Sequence, residues 1–134
     1  MQWAIGFDPG KDKCGLAVQD ASGQILWHGV VSTEQAIATI GNLCQNFPIQ
    51  VVVMGNQTTS KRWRSQLEEH FPDVAVQVVN EKFTSQLARR RYWQMYPARG
   101  CQRLLPVGMR VPPRPIDDIV AIILLERFVQ EWHS

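Results

Sequence analysis

From Lys82 to Ile116 the chain has no aspartate and no glutamate. Lys82, Arg89, Arg90, Arg91, Arg99, Arg103, Arg110 and Arg114 all fall in that stretch. A protein of formal charge +2 therefore carries one local cationic segment. Cysteine is scarce, and Cys14, Cys44 and Cys101 are far apart and odd in number. That excludes a complete disulfide framework, and no pair has zinc-ligand spacing. Reduced thiols and a cytoplasmic setting are expected. No run approaches the roughly 20 apolar residues that span a membrane, and the N-terminus lacks the apolar core of a signal peptide. No membrane partner is expected. Internal repeats, low-complexity tracts and linkers are also missing.

What is present is organised around Ile5-Gly6-Phe7-Asp8-Pro9-Gly10. Ala4, Ile5 and Phe7 read as the end of a buried strand. Asp8 stands where that strand should stop, and Pro9-Gly10 forces a turn. A carboxylate there is held on a stiff element at a sheet edge. Such an Asp-x-Gly serves as a metal ligand in a nuclease, as the magnesium-phosphate anchor of an actin-like ATPase or sugar kinase, or as a plain turn. The chain of 134 residues suits one compact domain over 1–134. An actin-like ATPase needs two lobes, so the length counts against it.

The remaining elements follow in order. Gly15–Val18 and Gln24–Val31 read as strands separated by the turn Asp20-Ala21-Ser22-Gly23. Ser32 to Gln35 fits a capping box, and Ala36, Ile37, Ile40, Leu43 and Cys44 recur at helical spacing up to Asn46. Ile49–Met54 is a valine-rich run typical of a parallel strand covered on both faces. A polar turn leads into a helix over Lys61–His70. Val74–Val79 reads as the last strand, and Thr84 as the cap of a helix over Ser85–Met95. Pro97 to Pro115 reads as a long irregular loop, and Ile116–Trp132 as a largely buried closing helix. The fold class is α/β, with a mixed five-stranded sheet and helices on both faces. Its second half should pair in parallel through right-handed crossovers.

Three acidic positions fall at element ends that such a sheet brings together. Asp8 ends the first strand and Glu81 the last; Asp117 and Asp118 open the closing helix. Strand ends share an edge, and small Ala121, one turn beyond Asp117, lets the helix approach. Carboxylates at close range raise one another's pKa. A divalent cation removes the conflict, and hard oxygen ligands select Mg²⁺ or Mn²⁺. Singly, each acid has a plainer reading: Glu81 as a solvated strand end, Asp117 as a cap, Asp118 as a first-turn acid favoured by the helix dipole.

At these residues a resemblance appears. Ile5 to Gly10 followed by Gly15-Leu16-Ala17-Val18 resembles the opening of the YqgF (RuvX) family, and more loosely RuvC-type resolvases. Asn80-Glu81-Lys82-Phe83-Thr84 resembles that family's Asp-Glu-Arg-x-Thr segment, and Ile116 to Ala121 its closing Asp-x-x-Ala-Ala helix. The resemblance implies an RNase H-like fold and a metal-dependent endonuclease site with Asp8, Glu81 and Asp117 as catalytic carboxylates. It implies 5′-end maturation of precursor 16S rRNA, with ribosomal precursor particles as partners, or Holliday junction resolution. Lys13 falls where the family has a basic residue. Asn80 and Lys82 depart from the pattern. So does Gly55-Asn56-Gln57-Thr58, which is closer to the YqgF-like domain of the accessory protein Tex. Those departures motivate the alternative of a non-catalytic RNA- or DNA-binding module. The doubled aspartate leaves Asp117, favoured by the YqgF register, and Asp118 as candidates for the third metal ligand.

Structured RNA or branched DNA would be held by cations and hydroxyls. Arg89, Arg90, Arg99, Arg103, Arg110 and Arg114 offer phosphate contacts, together with Lys13, Asn56, Thr59 and Ser60. Tyr92, Trp93 and Tyr96 would either stack on bases or pack against the sheet. His28, His70 and His133 share no motif and read as surface residues. A monomer or homodimer is expected.

Overall fold

The computed structural model describes residues 2–56, 58–98, 100–106, 112 and 114–133. Its strands are β1 (Ala4–Asp8), β2 (Lys13–Gln19), β3 (Ile25–Ser32), β4 (Val51–Gly55) and β5 (Ala75–Val79). Its helices are α1 (Ala36–Asn46), α2 (Ser60–His70), α3 (Thr84–Met95) and α4 (Asp117–His133). The strands form one mixed sheet in the order β3-β2-β1-β4-β5. β2 runs antiparallel to β1 and β3. β4 runs parallel to β1 and β5.

Alternation along each strand sends side chains to two cores. On one face Ile5, Phe7, Leu16, Val18, Val52 and Met54 cluster with Ile40 and Leu43 of α1 and Leu67 of α2. Phe7 meets the half-buried Trp63 ring edge-on, with centroids 5.1 Å apart, the favoured geometry for an aromatic pair. On the other face Ala4, Ala17, Val51, Val53 and Val79 cluster with Ala88, Tyr92 and Trp93 of α3 and with Ile119 to Leu125 of α4. Helices thus cover both faces, as expected. β4 is buried along its whole length, which accounts for its run of valines without alternation.

α4 is the element that touches most of the rest: all five strands and α3. It lies at backbone contact with the sheet. A Cβ on Gly6 would come within 2.3 Å of the carbonyl oxygen of fully buried Ala121.

Some local expectations are corrected. Ser32 makes no side-chain cap bond; a 3-10 turn over Thr33–Gln35 leads into α1 instead. Thr84 is the first residue of α3 and its hydroxyl donates to the Glu81 carbonyl at 2.8 Å rather than accepting from an amide. Tyr92 and Trp93 are buried in the core, so packing wins over base stacking for both. The segment after α3 contains a 3-10 turn over Gly100–Leu104; Arg99 and Arg110 lie outside the described residues. Among the described residues no helix is long and apolar enough to cross a membrane.

Candidate active site

Asp8 ends β1 on the face shared with α3 and α4. Its partner across the antiparallel ladder is Gly15 on β2. On the parallel side Phe7 pairs with Met54, so Asp8 is followed across by Gly55 on β4. Both neighbours of the aspartate are therefore glycines, and each leaves room for another acid. A Cβ on Gly15 would fall 1.8 Å from the Asp117 carbonyl oxygen, so the start of α4 rests on bare β2 backbone. A Cβ on Gly55 would fall 2.6 Å from Glu81 Oε2, so the Glu81 carboxylate lies over bare β4 backbone. Asp8, Glu81 and Asp117 consequently line one cleft of about 870 Å³. Thr58, Phe83, Thr84, Ser85, Gln86, Arg89 and Arg114 line it with them.

The turn that carries Glu81 is tied down at several points. The Glu81 amide donates to Asn56 Oδ1 at 3.3 Å, and the Lys82 amide to Asn80 Oδ1 at 2.9 Å. From α4, Arg127 donates to the Asn80 carbonyl at 2.6 Å and also to the Lys82 carbonyl. One guanidinium thus grips the backbone on both sides of Glu81.

Asp117 is half-buried, and its pKa is raised. Burial is the main cause and the adjacent Asp118 charge the second; Lys13 acts the other way. The first turn of a helix ordinarily favours a carboxylate. Here desolvation and a like charge act against the carboxylate.

Asp118, the other candidate for the third metal ligand, has a different setting from Asp117. Its side chain is 3% exposed and does not line the cleft. Oδ2 lies 2.6 Å from His28 Nδ1, and Oδ1 accepts from Arg114 Nη1 at 3.1 Å and from the Ile119 amide at 3.0 Å. Both oxygens are used in holding β3, α4 and the segment before α4 together. His28, read as a surface residue, is instead half-buried in this contact.

Arg114 is fixed from several directions. It donates to Asp118 and to the Pro115 carbonyl at 2.7 Å, and it lies 5.5 Å from the centroids of both Tyr92 and Tyr96. Burial alone would lower its pKa; the hydrogen bond and charge of Asp118, with Tyr96, raise it. Arg114 and Arg89 are the described arginines that reach the cleft. Arg90, one position on from Arg89, turns instead into a hollow between α3 and α4 with Leu87, Arg91, Glu126 and Arg127. Arg103 is exposed on the 3-10 turn, outside the cleft lining. Lys13 is exposed at the start of β2, close enough to act on Asp117. Asn56 serves the Glu81 turn. Thr59 lines a second hollow with Lys11, Arg62 and Trp63, and Ser60 opens α2.

The donor set has the chemistry of a hard cation site: carboxylate oxygens, one of them held where its charge is disfavoured. Among the described residues, no three such side chains stand close enough to close around one ion. The arrangement therefore fits a cation held by one or two carboxylates, with water and phosphate oxygens completing its shell. That is the usual mode for Mg²⁺.

Sequence reasoning missed His28, Arg127 and Phe83. His28 and Arg127 act on residues 90 and about 46 positions away, and no local pattern marks either. Phe83 had a signal, a large apolar residue between a strand-end acid and a helix.

No protein-family model matches the chain. Individual relatives do. A protein of Phocaeicola vulgatus named "Putative pre-16S rRNA nuclease" is 28% identical, over 97% of this chain and 96% of its own. One of Bacteroides thetaiotaomicron with the same name is 25% identical, over 97% of each. RuvC of Thermus thermophilus superposes with a TM-score of 0.53 at 17% identity, covering 98% of this chain and 96% of RuvC. The fold is thus the RNase H-like one expected, shared with RuvC. Similarity to proteins that bear the pre-16S rRNA nuclease name thus extends over nearly the whole chain.

Proposed function

We propose that this chain is an endonuclease, dependent on Mg²⁺ or Mn²⁺, that hydrolyses phosphodiester bonds in structured nucleic acid. Its favoured task is 5′-end maturation of precursor 16S rRNA, in the cytoplasm where that precursor is made; Holliday junction resolution is the other candidate. The observation that carries the reading is the cleft in which Asp8, Glu81 and Asp117 face Arg89 and Arg114. The names of the relatives and the RuvC-like fold support it.

The parts divide the work. Asp8, Glu81 and Asp117 would supply the carboxylates, one or two to each cation, and a cation bound there would lower the pKa of its water and steady charge on the leaving oxygen. Arg114 already spends donors on Asp118 and Pro115. A guanidinium has five N–H groups, so those contacts fix its plane and still leave donors for a phosphate oxygen. Arg89 supplies a second cation to the same phosphate. Thr58 and Ser85 offer hydroxyls beside it. The glycines at 15 and 55 and the Arg127 grip keep the acids in place before substrate arrives, so little reorganisation is left for the reaction itself.

The test is cleavage of precursor 16S rRNA and of a four-way junction, side by side, with Mg²⁺ or Mn²⁺. The parent should cut one of them, and Asp8→Asn should not. Equal cutting by Asp8→Asn would place the activity elsewhere.

One observation favours a second reading, a nucleic-acid-binding module without catalysis: no three described acids converge on a single point. That reading expects salt-sensitive binding that ignores EDTA, and no cleavage.

A further inference from the structure

The chain passes from β5 into α3 through Phe83, whose φ of 66° and ψ of 11° lie in the left-handed region. Among the described residues it is the one non-glycine residue with positive φ. An aromatic side chain is disfavoured there, and such a conformation persists only where its surroundings over-determine it. They do. The Thr84 amide and hydroxyl both bond the Glu81 carbonyl, at 3.0 and 2.8 Å, and the Leu87 amide bonds the Phe83 carbonyl at 3.1 Å. Arg127 holds the carbonyls just before.

The outcome is an aromatic residue left 58% exposed at the lining of the acidic cleft. Lys82 Nζ lies 5.1 Å from its ring centroid. Burial in the sheet core, which claims Tyr92 and Trp93, is not available to it. Tyr96, though 42% exposed, is engaged with the Arg114 guanidinium. Phe83 is thus an open ring beside a cleft that carries both carboxylates and arginines.

We propose that Phe83 is a base-stacking platform for one unpaired nucleobase, next to the phosphodiester that enters the cleft. This rests on the nucleic-acid reading above and adds to it a preference for substrate with a single-stranded nucleotide at the cutting point. The chemistry matches a nucleotide in both its parts. Arg89 and Arg114 meet the phosphate, and the ring meets the flat face of the base, with Lys82 beside it. A base inside a duplex already has both faces stacked and gains nothing from the ring. An unpaired base gains a partner whatever its identity, because every base has a π-face.

The test is binding, measured with Ca²⁺ present and Mg²⁺ omitted so that substrate is kept intact. Two oligonucleotides of equal length carry 2-aminopurine, one in an unpaired flap and one inside a full duplex. The parent should quench the flap fluorophore. Phe83→Ala should weaken flap binding roughly 5- to 150-fold, the range for stacking one base on an aromatic ring, and leave duplex binding unchanged. Phe83→Trp should keep both flap affinity and quenching. Phe83→Gly should melt no lower than the parent, since glycine suits the left-handed turn, yet lose flap affinity as alanine does. Misfolding is thereby separated from lost stacking. Equal loss on both substrates, or none on either, overturns the proposal. If Phe83→Ala binds like the parent while Asp8→Asn still abolishes cleavage, stacking falls and the nuclease reading stands. A parent that binds neither oligonucleotide brings down both.

Discussion

Gly15 lies directly beneath Asp117: a single methyl group on it would reach within 1.8 Å of the Asp117 carbonyl oxygen. Gly55 stands in the same relation to Glu81, but there the nearest atom is a side-chain oxygen, at 2.6 Å. The two positions should respond differently. Gly15→Ala meets fixed backbone and must push α4 off the sheet, an overpacking cost of roughly 1–3 kcal/mol or more. Gly55→Ala meets a carboxylate that can swing away. Urea melts should show a large loss for Gly15→Ala and a smaller one for Gly55→Ala. Cleavage should fall in both.

Asp117 and Asp118 are neighbours in different surroundings: the first lines the cleft and the second is buried against His28 and Arg114. Removing the Asp118 carboxylate strands His28 and Arg114, so Asp118→Ala should cost roughly 3 kcal/mol, the low end for a broken buried pair because both partners reach solvent. Asp118→Asn keeps an oxygen for Ile119 and Arg114 and should retain cleavage. Asp117→Asn should not. If the asparagine at 118 is the inactive one, the third ligand has been placed one residue too early.

A raised carboxyl pKa has a definite sign for stability. Asp117 holds its proton more tightly folded than unfolded, because burial and Asp118 disfavour its charge. The stability it contributes is therefore full below its unfolded pKa and lost as pH rises through the folded one. Asp117→Asn should melt higher than the parent at neutral pH, with the difference shrinking in acid. Mg²⁺ should raise the melting temperature of the parent more than that of Asp117→Asn. Scanning calorimetry across pH, with and without Mg²⁺, measures both effects.

Arg127 never enters the cleft lining, yet it fixes the backbone on either side of Glu81. Arg127→Lys loses the fork that spans two carbonyls. Cleavage should drop roughly 10- to 100-fold, as for other groups that orient a ligand from behind. Substrate affinity measured with Ca²⁺ should hardly change. A loss confined to affinity would contradict the assigned role.

Arg89 and Arg90 are adjacent in sequence but open onto different hollows. Arg89→Ala should reduce the slope of log affinity against log salt by about one phosphate's worth. Arg90→Ala should leave it alone. Titrations at several salt concentrations decide between them.

Much of this architecture is legible in the chain, because the signals concerned are local. Val51-Val52-Val53-Met54 announces a doubly covered strand, and Pro9-Gly10 marks where β1 must end at Asp8. Glu81 and Asp117 are found through element ends and the family-like motifs around them. What escaped is what depends on distant partners. His28 looks like any lone histidine until Asp118, 90 residues on, is folded against it. Gly15 and Gly55 look like ordinary strand glycines until the groups that occupy their missing side chains arrive. Periodicity tells which face a residue takes and says nothing of what will press on that face.

The helix that delivers Asp117 is also the one that seals half the interior and touches all five strands. Assembly of the chain and arming of its cleft are thus one event. A nascent or partly unfolded molecule has two acids on a loose sheet and nothing to complete them. In the nuclease proposed above, the cleft would stay incomplete until α4 docks.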